Sequence, residues 1–355
     1  MAARTLLRRT MATVVQHPVG NARPEPVTLT AEGAVSISYQ TLLSSPSSLV
    51  PSIERAFGSQ PDCLGIIVVR DLPKTYGGSR ERLLRLAYQF ANLNECVRER
   101  FADEGSRYSF GWSHGKEIMN GRPDTLKGSY YANPIIDEPD VSPELRNAYP
   151  EYYGNNIWPS DDVADVKGFE DAFKDVGRFV FSVGCQLAAA CQPFASSYLT
   201  DSSLSLADLI RSSQTVKARL LHYFPPSPDA PLPAENEPAM YLRQEPDGSP
   251  SAVSAPSSTS GLYIRTRGGE LTKVSIPEDC LAFQTGEALE LATAGKLRAT
   301  PHCVRVGGTK GADKVSRETF ALFMQPNTEQ QLSRTENFGQ FSKRIFDEHY
   351  GQATM

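Results

Sequence analysis

The 355-residue sequence predicts a mixed α+β protein, with a mainly helical N-terminal half leading into an all-β core of jelly-roll or barrel type. Three observations predict it. In residues 79–100 and again from Phe169 to Cys191, apolar side chains recur at spacings of three and four, the period of helices that bury one stripe. From residue 215 the period falls to two, and short apolar runs alternate with Gly, Pro and Asp turns. With 40% hydrophobic residues, the chain can also bury a sizeable core.

Residues 1–25 stand apart. Arg4, Arg8, Arg9 and Arg23 precede the first acidic residue, Glu25, with Leu6, Leu7, Met11 and Val15 between them. An Arg-rich, acid-free leader fits an organelle presequence, so the localisation reads as cytoplasmic or mitochondrial; a frayed terminus with chance arginines is the plainer alternative. A region from 26 to 214 follows. It opens on the β-rich "VTLTAEGAVSISYQTLL"; "SPSSLVPSIERAFGS" then reads as a helix and "CLGIIVVRDLP" as a buried strand closed by Pro73. Residues 79–100 form an amphipathic helix capped by Ser79, with Leu83, Ala87, Phe90 and Val97 on one face. Residues 101–160, rich in Gly, Pro, Asn and Tyr, read as ordered loops. Phe169, Phe173, Val176, Val180, Val183, Leu187 and Cys191 then mark a long spine helix, which Pro193 stops.

The β core runs from 215 to 327. Its expected strands are "TVKARLLHYF", "GLYIRT", "LTKVSI", "CLAFQTG", "ALELAT", "HCVRV" and "ETFALFMQP". Within it, residues 227–260 are crowded with Ser and Pro and read as an irregular loop. "GQFSKRIFDEHY" is a closing helix in the last segment, 328–355.

Composition excludes several function classes. A net charge of −5 argues against a nucleic-acid binder, which needs a basic face. No apolar run reads as a membrane span. The six cysteines form no C-x-x-C pair, which disfavours a zinc site or a disulfide framework. "RGGE" and "VGGTKG" lack P-loop spacing and fit hairpin turns. The sequence sets no oligomeric state.

Candidate chemistry sits late in the chain. His302 lies where a loop meets the strand "HCVRV". Arg317 opens the next strand, and Thr319 shares its face because strand side chains alternate. A guanidinium fork beside a hydroxyl suits a carboxylate. Taken singly, each has a plainer reading, a structural histidine and a surface pair.

The segments "LLHYFPP", "GLYIRTRGGELTKVSIPEDCLAFQTGE", "GEALELATAGKLRATPHCVRV" and "SRETFALFMQP" together resemble the isopenicillin N synthase-like family of non-haem Fe(II)/2-oxoglutarate-dependent oxygenases. The resemblance covers most of residues 26–345 and is strongest from Val216 to Pro326. It implies a double-stranded β-helix, Fe(II) held by a His-x-Asp and a distal His, and 2-oxoglutarate as cosubstrate. It also implies hydroxylation or desaturation of a small organic substrate that variable loops would select. In that scheme His302 is the distal metal ligand, and Arg317 and Thr319 bind the far carboxylate of 2-oxoglutarate. His222 lies on the strand that faces the cosubstrate, and Phe224 replaces a tyrosine common in the family.

One element departs from the pattern. The His-x-Asp belongs between "LLHYFPP" and "GLYIRT", and residues 227–260 contain no histidine. The chain has only His17, His114, His222, His302 and His349, and the nearby carboxylates are Glu235, Glu237, Glu245 and Asp247. Two readings follow: an oxygenase with an unusual site, or with the ligand strand lost only from this version of the sequence; and a catalytically inactive relative that acts as a binding protein. On either, 243–260 is expected to be exposed loop beside an open sheet edge.

Overall fold

A computed structural model describes residues 23–119, 122–160, 163–225, 239–245, 249–253, 261–305 and 314–350. Residues 1–22, which hold most of the arginine-rich segment read as a possible leader, lie outside the described residues, as do Glu235, Glu237, Asp247 and "VGGTKG".

The first part of the chain gives β1 (Thr28–Leu29), β2 (Val35–Ser38), α1 (Tyr39–Ser44), α2 (Val50–Phe57), β3 (Ile66–Arg70), α3 (Lys74–Ala91) and α4 (Glu95–Arg98). Next come β4 (Gly111–His114), β5 (Ile118–Met119), β6 (Arg122–Pro123), β7 (Lys127–Ala132), α5 (Pro143–Ala148), α6 (Pro150–Tyr153), α7 (Phe169–Ser196) and α8 (Leu206–Arg211). The remainder is β8 (Lys217–Tyr223), β9 (Ala239–Gln244), β10 (Pro250–Val253), β11 (Gly261–Arg265), β12 (Leu271–Val274), β13 (Leu281–Gln284), α9 (Glu287–Ala292), β14 (His302–Arg305), β15 (Val315–Phe323) and α10 (Phe338–Tyr350).

The expected α+β mixture is present. A six-stranded sheet runs β10-β9-β15-β8-β7-β4, a four-stranded sheet β1-β2-β3-β13 and a three-stranded sheet β12-β11-β14. The large sheet draws β4 and β7 from the stretch read as loops, so residues 101–160 are partly strand. "KGSYYA" pairs with β8 along its whole length because its β-prone tyrosines alternate between two buried faces.

α7 is the spine. Phe169, Phe173, Val176, Val183 and Leu187 are buried along one side, and α3 packs beside them. By length and composition α7 is the one described helix apolar enough to cross a membrane, but this stripe belongs to the protein core. Pro193 does not stop the helix, which runs one turn further to Ser196. A proline removes one hydrogen bond from a helix interior without forbidding the next turn. α3 begins at Lys74 rather than at Ser79, and ends at Ala91. Tyr76, buried against Phe179 at 5.1 Å between ring centroids, anchors a first turn that Gly77 and Gly78 would weaken.

Two further expectations fail. "ALELAT" is the helix α9, not a strand; six residues are too few to separate period two from period 3.6. The stretch 227–260 is not all irregular loop, because β9 and β10 form an antiparallel hairpin and β9 also pairs with β15. The strand next to β15 is therefore present, and β15 is paired on both sides rather than left as an open edge.

Candidate functional site

The large sheet has two faces of opposite character. On β8, Ala218 and Leu220 point to α3 and α7, in one apolar cluster with Phe90, Phe169 and Phe173. Phe320 on β15 does the same, 5.4 Å from Phe173. Strand alternation sends Lys217, Arg219, Leu221 and Tyr223 to the other face. That face is polar.

Arg317 and Thr319 belong to the polar face. In register, Arg317 stands opposite Tyr223 and Thr319 opposite Leu221. Both are buried, at 3% and 1% exposure, and the Arg317 guanidinium lies 5.0 Å from the centre of the Tyr223 ring. Such stacking fixes the guanidinium plane.

Beside them is a buried charge network that the sequence did not reveal. Arg219 donates from Nε to Ser129 Oγ at 3.0 Å and from Nη2 to Glu117 Oε1 at 2.8 Å. Lys127 Nζ lies 3.0 Å from Glu117 and 3.5 Å from Asp124, and the Tyr131 hydroxyl donates to Glu117 at 2.9 Å. Burial alone would raise the Glu117 carboxyl, but Arg219 and Lys127 override it and hold it down at about 2. Lys217 donates to the carbonyl oxygens of Ser109 and Glu151 at 2.8 and 2.6 Å, with its Nζ 3.4 Å from the centre of the Phe110 ring. Burial pushes that amine well below the usual lysine range. The signal available in sequence was "KARLLHY", a strand whose charged residues fall on alternate positions in an otherwise apolar run.

His222 is elsewhere. It stands opposite Glu318, not Arg317, and so faces the helices. Its Nδ1 shares a hydrogen bond with Glu318 Oε1 at 2.8 Å, and Ser316 Oγ donates to the same oxygen at 2.7 Å. The Phe224 ring lies edge-on to the imidazole at 4.5 Å and Tyr88 of α3 at 5.9 Å. Burial pushes the Glu318 carboxyl up, against the pull of His222. His222 and Arg317, expected together at the cosubstrate, project from opposite sides of one sheet. The physical reason is register, since a one-residue shift between β8 and β15 would exchange the faces.

His302 opens β14 in the three-stranded sheet, opposite Ile264, and is exposed. Its Nδ1–H donates to the backbone oxygen of Thr300. Metal ligands are needed in a set. Among the described residues no group of three His, Cys, Asp or Glu side chains is placed to hold a metal ion. His114 donates from Nε2 to Thr125 O at 3.0 Å, His222 is held by Glu318, and Glu245 is paired with Arg243 at 3.2 Å and bonded by Ser251. The described residues do not fit Fe(II).

No protein-family model matches the chain, and no curated sequence matches it significantly. Solved structures do match its fold. A 2OG-Fe(II) oxygenase family protein of Caulobacter crescentus superimposes with a TM-score of 0.61 at 16% identity, over 91% of this chain and 100% of that one. A full-length Neurospora crassa protein in complex with alpha-KG gives 0.59 at 14% identity, over 91% and 99%. An oxygenase of Shewanella oneidensis gives 0.58 at 16%, over 89% and 98%. The likeness spans nearly the whole chain and establishes a shared fold.

Proposed function

We propose that this chain, built on the fold of the 2OG-Fe(II) oxygenases, is a relative that binds 2-oxoglutarate or a similar small dicarboxylate and whose described residues supply no ligand set for oxidation. The double-stranded β-helix is read from β8, β9 and β15 in one sheet and β11, β12 and β14 in another. The isopenicillin N synthase-like segments supply β8, β11, β12, β14 and β15 of these strands, together with β13 and α9. One observation carries the reading: β15 places Arg317 and Thr319 together on the polar face, both buried. A planar guanidinium can meet a carboxylate with two parallel charge-assisted bonds, and the Thr319 hydroxyl can supply another donor. Tyr223 holds the guanidinium from beneath.

The companion observation is the unmet metal set among the described residues. When bound in related folds, Fe(II) supplies the oxidising chemistry; here His302 alone matches that ligand pattern, so no oxidation step is derived. What the residues of this chain do is bind and orient a carboxylate through Arg317 and Thr319, beside a network in which Arg219 and Lys127 are already paired with Glu117 and Asp124.

Calorimetric titration with 2-oxoglutarate, without added metal, tests the reading. One molecule is expected to bind, and Arg317→Lys is expected to weaken it about tenfold, because lysine keeps the charge and loses the fork. Equal affinity for both proteins would remove Arg317 from the role. Succinate formation from 2-oxoglutarate in the presence of Fe(II) and oxygen would instead establish the working-oxygenase reading.

A further inference from the structure

A second site lies at the far end of the same strand. A cavity of about 240 Å³ opens between the C-terminal half of α7, α8, α9 and the chain that follows β13 and β15. Met324, on its wall, is seven residues beyond Arg317 along the sequence of β15 and its continuation, roughly 23 Å at the rise of a strand. The two sites are separate.

The chemistry of the wall is narrow. Leu187, Leu209, Ile210 and Leu289 supply apolar surface from three helices, and among the described residues no Asp, Glu, Lys, Arg or His lines the space. Cys191 also faces it, and enclosure pushes that thiol up to about 12, so it is an uncharged, unreactive wall residue at neutral pH. The pocket is open to solvent on one side, and its apolar wall favours an apolar ligand that removes it from water. α7 presents the small side chains of Ala188 and Ala195 towards it, while Gly184 packs directly against Met324, whose Sδ would lie 2.2 Å from an added Cβ.

Polar side chains on the wall are few: Gln284, Thr285, Gln330 and Gln331. Thr285 already donates to Arg298 O at 2.8 Å, Gln330 to Gln331 O at 3.1 Å and Gln331 to Ser333 O at 2.6 Å. Among the described residues, no hydrogen bond engages the amide of Gln284, which also lines the cavity. An amide can both donate and accept, so it suits a hydroxyl, carbonyl or amide and gives no preference for charge. For scale, an apolar cavity of about 150 Å³ holds benzene.

We propose that this cavity is a binding site for an uncharged, largely apolar molecule of about two fused rings bearing one neutral polar group. The apolar walls take the ring system, and Gln284 meets the polar group. A charged ligand is excluded because nothing in the described wall would replace its lost hydration.

1-Naphthol is a suitable probe, with 1-naphthoate as its charged counterpart. Fluorescence titration of the full chain is expected to show one saturable site for 1-naphthol and at least tenfold weaker binding of 1-naphthoate. Ala188→Phe, which fills the floor, and Leu289→Trp, which blocks the wall from α9, are each expected to weaken 1-naphthol at least tenfold. Circular dichroism reports which of the two variants remains folded, and either one suffices. Arg317→Ala is expected to leave 1-naphthol binding unchanged. Absence of saturable binding, equal affinity for the two probes, indifference to the filling variants, or loss in Arg317→Ala would each overturn the proposal.

Discussion

Glu117 shows how single residues set the character of the polar face. Its carboxyl is held at about 2, against an ordinary 4.5, by Arg219 and Lys127. A lowered carboxylate favours the folded state above its unfolded value, and the benefit is lost as pH falls from 4.5 towards 2. The shift corresponds to about 3 kcal/mol. Glu117→Gln is therefore expected to destabilise the protein by about 3 kcal/mol at pH 7 in urea unfolding, since it leaves two buried cations short of a partner. The difference from wild type should shrink as pH falls below 4.5. A penalty that stayed constant from about pH 7 to about pH 3 would contradict the assignment. Residue-scale legibility was uneven. The common face of Arg317 and Thr319 follows from alternation within one strand. The position of His222 depends on its register against Glu318, which no single-strand pattern contains.

Elements were legible where their pattern was long. The seven apolar positions of α7 could be read directly, while the ends of α3 could not, because Tyr76 packing on Phe179 overrides Gly77 and Gly78. β9 was missed because "AMYLRQ" is brief and surrounded by Ser and Pro. Its hydrogen bonds come from β10 on one side and β15 on the other. Amide exchange at Met240–Arg243 is accordingly expected to be as slow as in the middle of β15; exchange at the rate of an unstructured segment would contradict the pairing. β7 offers a second check. A Cβ added at Gly128 would lie 2.0 Å from Cη2 of Trp112, which crosses the strand at that point. Gly128→Ala is expected to cost about 3 kcal/mol, because an indole ring pinned in the core cannot yield cheaply. An unchanged melting temperature would mean that Trp112 has room to move.

At the scale of the whole molecule, the fold agrees with that of the 2OG-Fe(II) oxygenase structures, and the described residues supply no set of metal ligands. The resemblance read from "LLHYFPP" through "SRETFALFMQP" anticipated the shared fold that the Caulobacter, Neurospora and Shewanella structures establish. The absence of a histidine from 227–260 was equally plain in the sequence. What could not be read was that the neighbouring strand survives that departure, because pairing between distant segments sets it. The most direct measurement is an anaerobic titration of the protein with 2-oxoglutarate and Fe(II) together, followed by visible absorption and by calorimetry. The account predicts that 2-oxoglutarate binds equally well with and without Fe(II), and that no charge-transfer band of an iron chelate develops. A stoichiometric band, with 2-oxoglutarate affinity that rises when Fe(II) is present, would contradict it.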